Sequence, residues 1–247
     1  MSGIVLHPAP AIVPGGVLAF VPIGDSPRDA AERLEPAELE LAGTVSPARR
    51  DAFVAGRMAL RAAVHAVSPR LSHAPLLRTG RGAPLLPHGL SGSISHKRTR
   101  AVAIAAPHDE TATDARTGAR VGIDLERRPH EDSARRPDDG RALARRILTP
   151  REQEGIAALD DIAHRDAALL HFALKEAVYK AIDPFVERYV RFTEVEIEMA
   201  HAGDVLHAGT AGVQLLLPEL AGAPMSAQVA WYMEPDWIVA IAVARRL

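Results

Sequence analysis

Val121-Gly122-Ile123-Asp124-Leu125-Glu126 is the stretch on which the fold turns. Alternate residues of a strand share a face, so Asp124 and Glu126 stand side by side while their apolar neighbours point the other way. Two carboxylates held together repel each other unless a cation compensates. Oxygen donors of this kind suit a hard divalent ion, and magnesium in particular where a substrate phosphate completes the shell. The same pattern also fits a strand that runs out into solvent and ends in two exposed acids. The residues alone leave both readings open.

Outward from this strand the chain is organised twice in the same order. Upstream, residues 107–118 are polar and turn-rich and form the best linker candidate. Before them, VLAFVP at 17–22 reads as a strand, and PRDAAERLEPAELELA as a helix interrupted near Pro36. A second helix opens at Ser46-Pro47, with serine as N-cap and proline at N1. Residues 68–89 read as an ordered loop, and SGSIS leads into the apolar run AVAIAA, typical of a buried strand. Downstream, residues 128–140 read as a surface loop. Thr149-Pro150-Arg151-Glu152 has the form of a capping box. A long helix is expected from about Ile162 to Ile182, ending before Asp183-Pro184. FTEVEIEM, AGVQLLL, SAQVAWYM and WIVAIAVA then read as strands separated by turns. Strand, helices and strand thus occur on both sides of 107–118. Identity between the halves is faint, and the economical architecture is α+β in two lobes, 1–112 and 113–247.

The chain has 247 residues, enough for a substantial core. Its 47% hydrophobic and 24% charged residues are ordinary for a globular protein and argue against disorder. A net charge of -2 gives no global field toward nucleic acid or acidic lipid. With no cysteine, disulfides, thiolate metal sites and cysteine nucleophiles are excluded, and a cytoplasmic setting is compatible. The first twenty residues lack a basic flank and are broken by Pro8, Pro10 and Pro14, which makes a poor signal peptide. No apolar run approaches the length that crosses a bilayer. Of 29 basic residues only Lys97, Lys175 and Lys180 are lysines. Two of these three fall in the hexapeptide KEAVYK, where a compact point charge has a use that arginine does not match.

That hexapeptide belongs to His171–Lys180, HFALKEAVYK. Glu176 and Lys180 have the spacing of an ordinary helix ion pair. Equally, Glu176 suits a metal ligand or base, with Lys175 and Lys180 meeting an anion. Gly92-Ser93-Ile94-Ser95-His96-Lys97 has the small residues that let a backbone approach a phosphate, with histidine as a further donor. Arg49, Arg50, Arg57 and Arg61 lie on the second helix. Arg57 and Arg61 share a face, a small cost that a bound phosphate would reverse, and Arg49 lies in the first turn, where free N–H groups favour an anion. Arg81-Gly82-Ala83-Pro84 adds one more cation on a glycine-containing loop. Each pattern also fits a solvated surface. Together they describe a ligand with several phosphates, a divalent ion and a basic rim.

The order GSISH, VGIDLE, FALKEAVYKA resembles the Sfp-type 4′-phosphopantetheinyl transferases, in particular the branch serving siderophore and other nonribosomal peptide or polyketide pathways. ARRDAFVAGRMALR and GRGAPLLP look like that branch too, so the resemblance spans about residues 46–192. It implies two similar α+β lobes related by pseudo-twofold symmetry, with coenzyme A bound between them. It implies Asp124 and Glu126 as magnesium ligands, Glu176 as third ligand or base, and Lys175 and Lys180 on phosphates or the leaving group. Ser95 and His96 would hold the diphosphate or the 3′-phosphate side. Arg49 and Arg57 would bind the phosphorylated ribose, Arg81, Gly82, Ala83 and Pro84 would line the adenine pocket, and Arg61 would assist. Phe172, Ala173 and Lys97 stand where many members carry tryptophan, serine or cysteine, and cysteine or serine. The implied reaction transfers the phosphopantetheine arm to a serine of an apo acyl or peptidyl carrier protein. The implied partners are that carrier and coenzyme A, with no nucleic acid and no membrane, and the implied state is a monomer. The alternatives are a magnesium-dependent nucleotide diphosphate phosphohydrolase and a non-catalytic coenzyme A-binding module.

Overall fold

The apolar run near residue 100 becomes an inner strand because both its faces are covered, as its unbroken hydrophobicity requires. In the computed structural model, which describes residues 3–24, 34–108, 118–128, 138–199, 207–217 and 224–247 (side chains of 138 and 139 excepted), four strands form the first sheet. β1 (Val5–Pro8), β2 (Val17–Pro22), β3 (Leu90–Lys97) and β4 (Arg100–Pro107) pair antiparallel in the order β1-β2-β4-β3. The stretch GSISHK is therefore itself a strand in hairpin register with β4, Ser95 opposite Val102 and His96 opposite Ala101. Alternate residues point to opposite faces, so neighbouring Ser95 and His96 cannot present to the same side.

Two helices precede β3. The expected helix around Pro36 begins there: α1 (Pro36–Gly43) has proline in its first turn and Glu38 at N3, whose carboxylate accepts the Glu35 N–H at 2.8 Å. Proline starts the helix because its missing N–H lies among the donors a first turn leaves unpaired anyway; residues 27–33 of the expected element lie outside the described residues. α2 (Pro47–Val67) starts as expected after Ser46, although the Ser46 side chain makes no cap bond. Its face of Ala55, Met58, Ala59, Leu60, Ala63 and Val64 packs with Ala19, Ala101, Ala103 and Ala105 into one core. Full burial of a side chain such as Leu60 is worth about 1.5–3 kcal/mol. Gly56 sets how near α2 lies to β3, since a Cβ there would fall 2.8 Å from Ile94 Cγ2.

The remaining strands form a second antiparallel sheet. β5 (Arg120–Arg127), β6 (Val195–Glu198), β7 (Ala208–Leu215), β8 (Met225–Met233) and β9 (Trp237–Arg246) lie in the order β5-β9-β8-β7-β6. Between β5 and β6 come α3 (Asp138–Ile147), α4 (Pro150–Ile156) and α5 (Asp161–Val186). α5 lies along β9, and Leu170, Leu174, Ala177, Val178 and Ala181 join Ile238, Ala240 and Ala242 in a second core. The sequence pattern ends α5 before Asp183-Pro184, yet the helix continues through Pro184 to Val186. Proline forfeits one backbone bond within the helix, but Phe185 is buried in the core. The helix closes only at Glu187, in left-handed conformation with φ 51°, where its N–H donates to Asp183 O at 2.9 Å.

The fold is α+β, with two antiparallel sheets and five helices among the described residues. The chain divides into two compact units, Met1–Ile123 and Asp124–Leu247. This division falls within β5, whereas the sequence pattern places it at 112/113; residues 109–117 of the expected linker lie outside the described residues. Each unit sets one long helix against its own sheet. No helix among the described residues is long and apolar enough to cross a membrane.

Candidate active site

In the second unit the acidic strand and the KEAVYK helix meet. Asp124 and Glu126, on the same face of β5, are only 5% and 7% exposed, so the strand does not end in solvent. Lys180 of α5 donates to Asp124 Oδ1 at 2.7 Å. Glu176 lies one turn earlier on the same helix and is half-buried; spacing of i,i+4 puts it on the face that carries Lys180. Further along, Arg128 pairs with Asp166 of α5 at 2.5 Å, a second tie between the end of β5 and α5. These carboxylates are hard oxygen donors of the type a divalent cation takes. Among the described residues no three acidic or histidine side chains are gathered into a ready-made metal cage.

Lys175 has a different environment from Lys180. It is 1% exposed, and its ammonium donates to Glu152 Oε2 at 2.6 Å, Ile147 O at 2.8 Å and Phe192 O at 3.0 Å. An ammonium has three protons, and these three bonds use them. Burial pulls the Lys175 pKa down, while the Glu152 carboxylate opposes the fall. Glu152 is satisfied on both oxygens: Oε1 accepts the Ile197 N–H at 2.8 Å, and Oε2 accepts the Thr149 N–H at 2.8 Å. The capping box expected at Thr149–Glu152 is present, with the Glu152 N–H donating to Thr149 Oγ1 at 3.3 Å. The motif marked a helix start; that its carboxylate also receives a lysine from α5 had no sequence signal, because the partner is 23 residues away. His171, one turn before Lys175, is buried, its Nδ1 lies 2.8 Å from Ala167 O, and desolvation lowers its pKa.

In the first unit the arginines on α2 separate in the same way. Arg61 is spoken for: it pairs with Glu38 and donates to Ser72 O and Ala74 O. Its part is to tie α1 and the segment after α2 to the helix. Arg57 is 3% exposed, yet its Nε and Nη1 have no hydrogen-bond partner. Its guanidinium lies 5.0 Å from the Phe53 ring centroid. Burial lowers its pKa to about 10, with Glu38 opposing and Arg78 adding to the fall, so it is still a cation at neutral pH. A buried cation with unmet donors is costly unless an anion joins it. Arg78, absent from the sequence candidates, contributes to that positive field. It pairs in an isolated bridge with Pro84, across a tight turn closed by the Thr79 N–H to Ala83 O bond of 2.8 Å. Gly82 has φ +89° there, a conformation other residues adopt only under strain. Arg81 and Gly82 are exposed on this turn, Ala83 and Pro84 half-buried. Arg49 and Arg50 are exposed on the first turn of α2, Ser95 is buried and His96 exposed.

Comparisons with known proteins address both units. A family model described as the 4′-phosphopantetheinyl transferase N-terminal domain matches residues 37–106, and one described as the 4′-phosphopantetheinyl transferase superfamily matches residues 120–241. The chain is 32% identical over 212 residues to 4′-phosphopantetheinyl transferase Svp of Streptomyces mobaraensis, covering 84% of this chain and 76% of that protein. It is 32% identical over 192 residues to 4′-phosphopantetheinyl transferase Npt of Nocardia iowensis, covering 75% and 76%. It is 31% identical over 163 residues to 4′-phosphopantetheinyl transferase PptT of Mycobacterium tuberculosis, covering 66% and 63%.

Proposed function

The chain belongs to the 4′-phosphopantetheinyl transferase superfamily, and from that premise we propose how its own residues carry the reaction. The enzyme transfers the phosphopantetheine arm of coenzyme A to a serine of an apo carrier protein and releases 3′,5′-ADP. The serine oxygen forms a bond to the β-phosphorus, the bond to the bridging oxygen breaks, and the hydroxyl proton leaves. The phosphohydrolase alternative has no support among these relatives.

In this proposal Asp124, Glu126 and Glu176 hold a magnesium ion, whose chemistry when bound is to neutralise charge on the diphosphate. Asp124 and Glu126 fit it as buried, paired, hard donors. Glu176 takes the serine proton, a task that needs a carboxylate within hydrogen-bond reach of the nucleophile. Lys180 serves a diphosphate oxygen. Lys175, expected from the sequence to stabilise the departing phosphate, is better read as a positioning residue, since its protons go to Glu152 and two carbonyls. Arg57, with its unmet donors, takes a phosphate of coenzyme A, with Arg49, Arg81, Gly82, Ala83, Pro84, Ser95 and His96 around the nucleotide. The finer assignments, a cytoplasmic monomer acting on peptidyl or polyketide carriers including those of siderophore synthesis, are part of the same proposal.

The observation that carries the placement of the chemistry is the 2.7 Å contact of Lys180 with Asp124, because it ties the acidic strand to the Glu176 face of α5. The test is intact mass spectrometry of an apo peptidyl carrier protein incubated with coenzyme A, magnesium and the enzyme. One added phosphopantetheine arm, lost with EDTA, is the expected result. Transfer unaffected by EDTA would overturn the metal assignment.

A further inference from the structure

Asp124 has a cation bonded to one of its oxygens before any metal is considered. The Lys180 ammonium touches Asp124 Oδ1, and the Asp124 side chain is 7% exposed against 26% for Lys180. A carboxylate that poorly hydrated needs a counter-charge. Lys180 of α5 supplies a counter-charge to Asp124 in this arrangement. A divalent cation and an ammonium placed on one carboxylate repel each other, so each weakens the hold of the other.

We propose that Lys180 is a stand-in counter-ion, which releases Asp124 to a divalent cation and turns to the coenzyme A diphosphate as that substrate arrives. This rests on the reading of Asp124 as a metal ligand. Two properties follow. Lys180 weakens metal binding by the free enzyme. It also makes metal and coenzyme A bind cooperatively, because the diphosphate draws off the cation that competes with the metal. By linkage the effect is mutual, the metal raising coenzyme A affinity by the same factor. Lys180 is suited to the exchange. Its long, unbranched stem lies on a half-buried turn of α5 and its side chain keeps 26% exposure, whereas the Lys175 side chain, five residues earlier, is fully buried.

The test uses the whole enzyme without carrier protein. Manganese binding is followed by paramagnetic resonance of the free ion, for wild type and K180M, with and without coenzyme A. Without coenzyme A, K180M should bind manganese at least about fivefold more tightly than wild type. The gain in manganese affinity on adding coenzyme A should be smaller in K180M. Equal or weaker binding by K180M would overturn the proposal. A second measurement reads the wild-type enzyme itself, with variants used only to assign its signals. With three lysines in the chain, proton–nitrogen spectra of the ammonium groups are simple, and K97R and K180M assign the Lys97 and Lys180 signals by difference. Saturating magnesium without coenzyme A should shift the Lys180 signal and leave that of Lys175 in place; an unmoved Lys180 signal at saturation would overturn the exchange. Absence of manganese binding by wild type, with or without coenzyme A, would instead remove the metal-ligand reading itself and this inference with it.

Discussion

In the first unit, Glu38 at N3 of α1 takes Arg61 of α2; in the second, Glu152 at N3 of α4 takes Lys175 of α5. In both, the short helix opens with proline and the glutamate closes a capping box. In both, the cation lies 23 residues further on. In both, the carboxylate also accepts a remote backbone N–H, from Leu76 in one unit and Ile197 in the other. The device therefore recurs as a unit: a buried carboxylate that fixes a long helix to a short one and to a distant strand or loop. The difference lies in how completely each is sealed. Lys175 is fully buried, whereas the Arg61 side chain keeps 14% exposure. The comparison also separates the cations. On each long helix one is consumed by the fold; of the others, Arg57 keeps unmet donors and Lys180 pairs with Asp124.

The largest expected effect breaks chemistry and not folding. Glu176→Gln should lower kcat about 10²–10⁴-fold, the range for loss of a general base, with Tm unchanged by differential scanning calorimetry. If Tm fell with kcat, Glu176 would belong to the clamp. Next comes the sealed clamp. Glu152→Gln leaves a buried ammonium without its counter-charge and should destabilise by about 3–5 kcal/mol. The double variant Glu152→Gln, Lys175→Met should recover much of that loss in urea unfolding, because the uncompensated charge is gone. Glu38→Gln should cost less than Glu152→Gln, since Arg61 reaches some solvent; an equal cost would erase the distinction between the clamps.

Smaller effects sharpen the division of labour on α2. Arg57→Leu should raise the KM for coenzyme A about tenfold or more while keeping or raising Tm, as a buried, unpaired cation costs stability in the free enzyme. Arg61→Leu should lower Tm and leave that KM nearly unchanged. The smallest effect concerns His171. Its pKa is lowered on folding, so as pH falls below 6.5 the unfolded chain binds a proton that the folded chain refuses. Stability contributed by this group is whole above 6.5 and declines on acidification. His171→Gln should flatten the dependence of Tm on pH over that window, and an unchanged slope would show that His171 titrates alike in both states.

The recurrence was present in the sequence as Leu34-Glu35-Pro36-Ala37-Glu38 and Leu148-Thr149-Pro150-Arg151-Glu152. The matching residues are few and the interval between them is dissimilar, so local pattern does not reveal the repeat. Pattern reasoning recovered the capping box and the start of α2. It also recovered the strands around AVAIAA, VGIDLE and the C-terminal runs, since these depend on local periodicity and turn chemistry. It mistook the ends of elements where burial overrides local preference. α5 runs past Pro184 because Phe185 has a place in the core, and GSISHK pairs along β4 in spite of its glycine and serines.

By itself, the sequence determined which residues carry charge on which period: acids two apart on a strand, Glu176 and Lys180 one turn apart, arginines on one helix. Those relations are local and follow from backbone geometry. Tertiary structure alone decided which charge meets which. Lys175 and Lys180 are chemically identical and five residues apart, yet one closes on Glu152 and the other on Asp124. Arg57 and Arg61 are one turn apart, yet only Arg61 finds a carboxylate in hydrogen-bonding range. The reason is that an ion pair depends on distance and dielectric in three dimensions, and both are set by how the helices pack against their sheets.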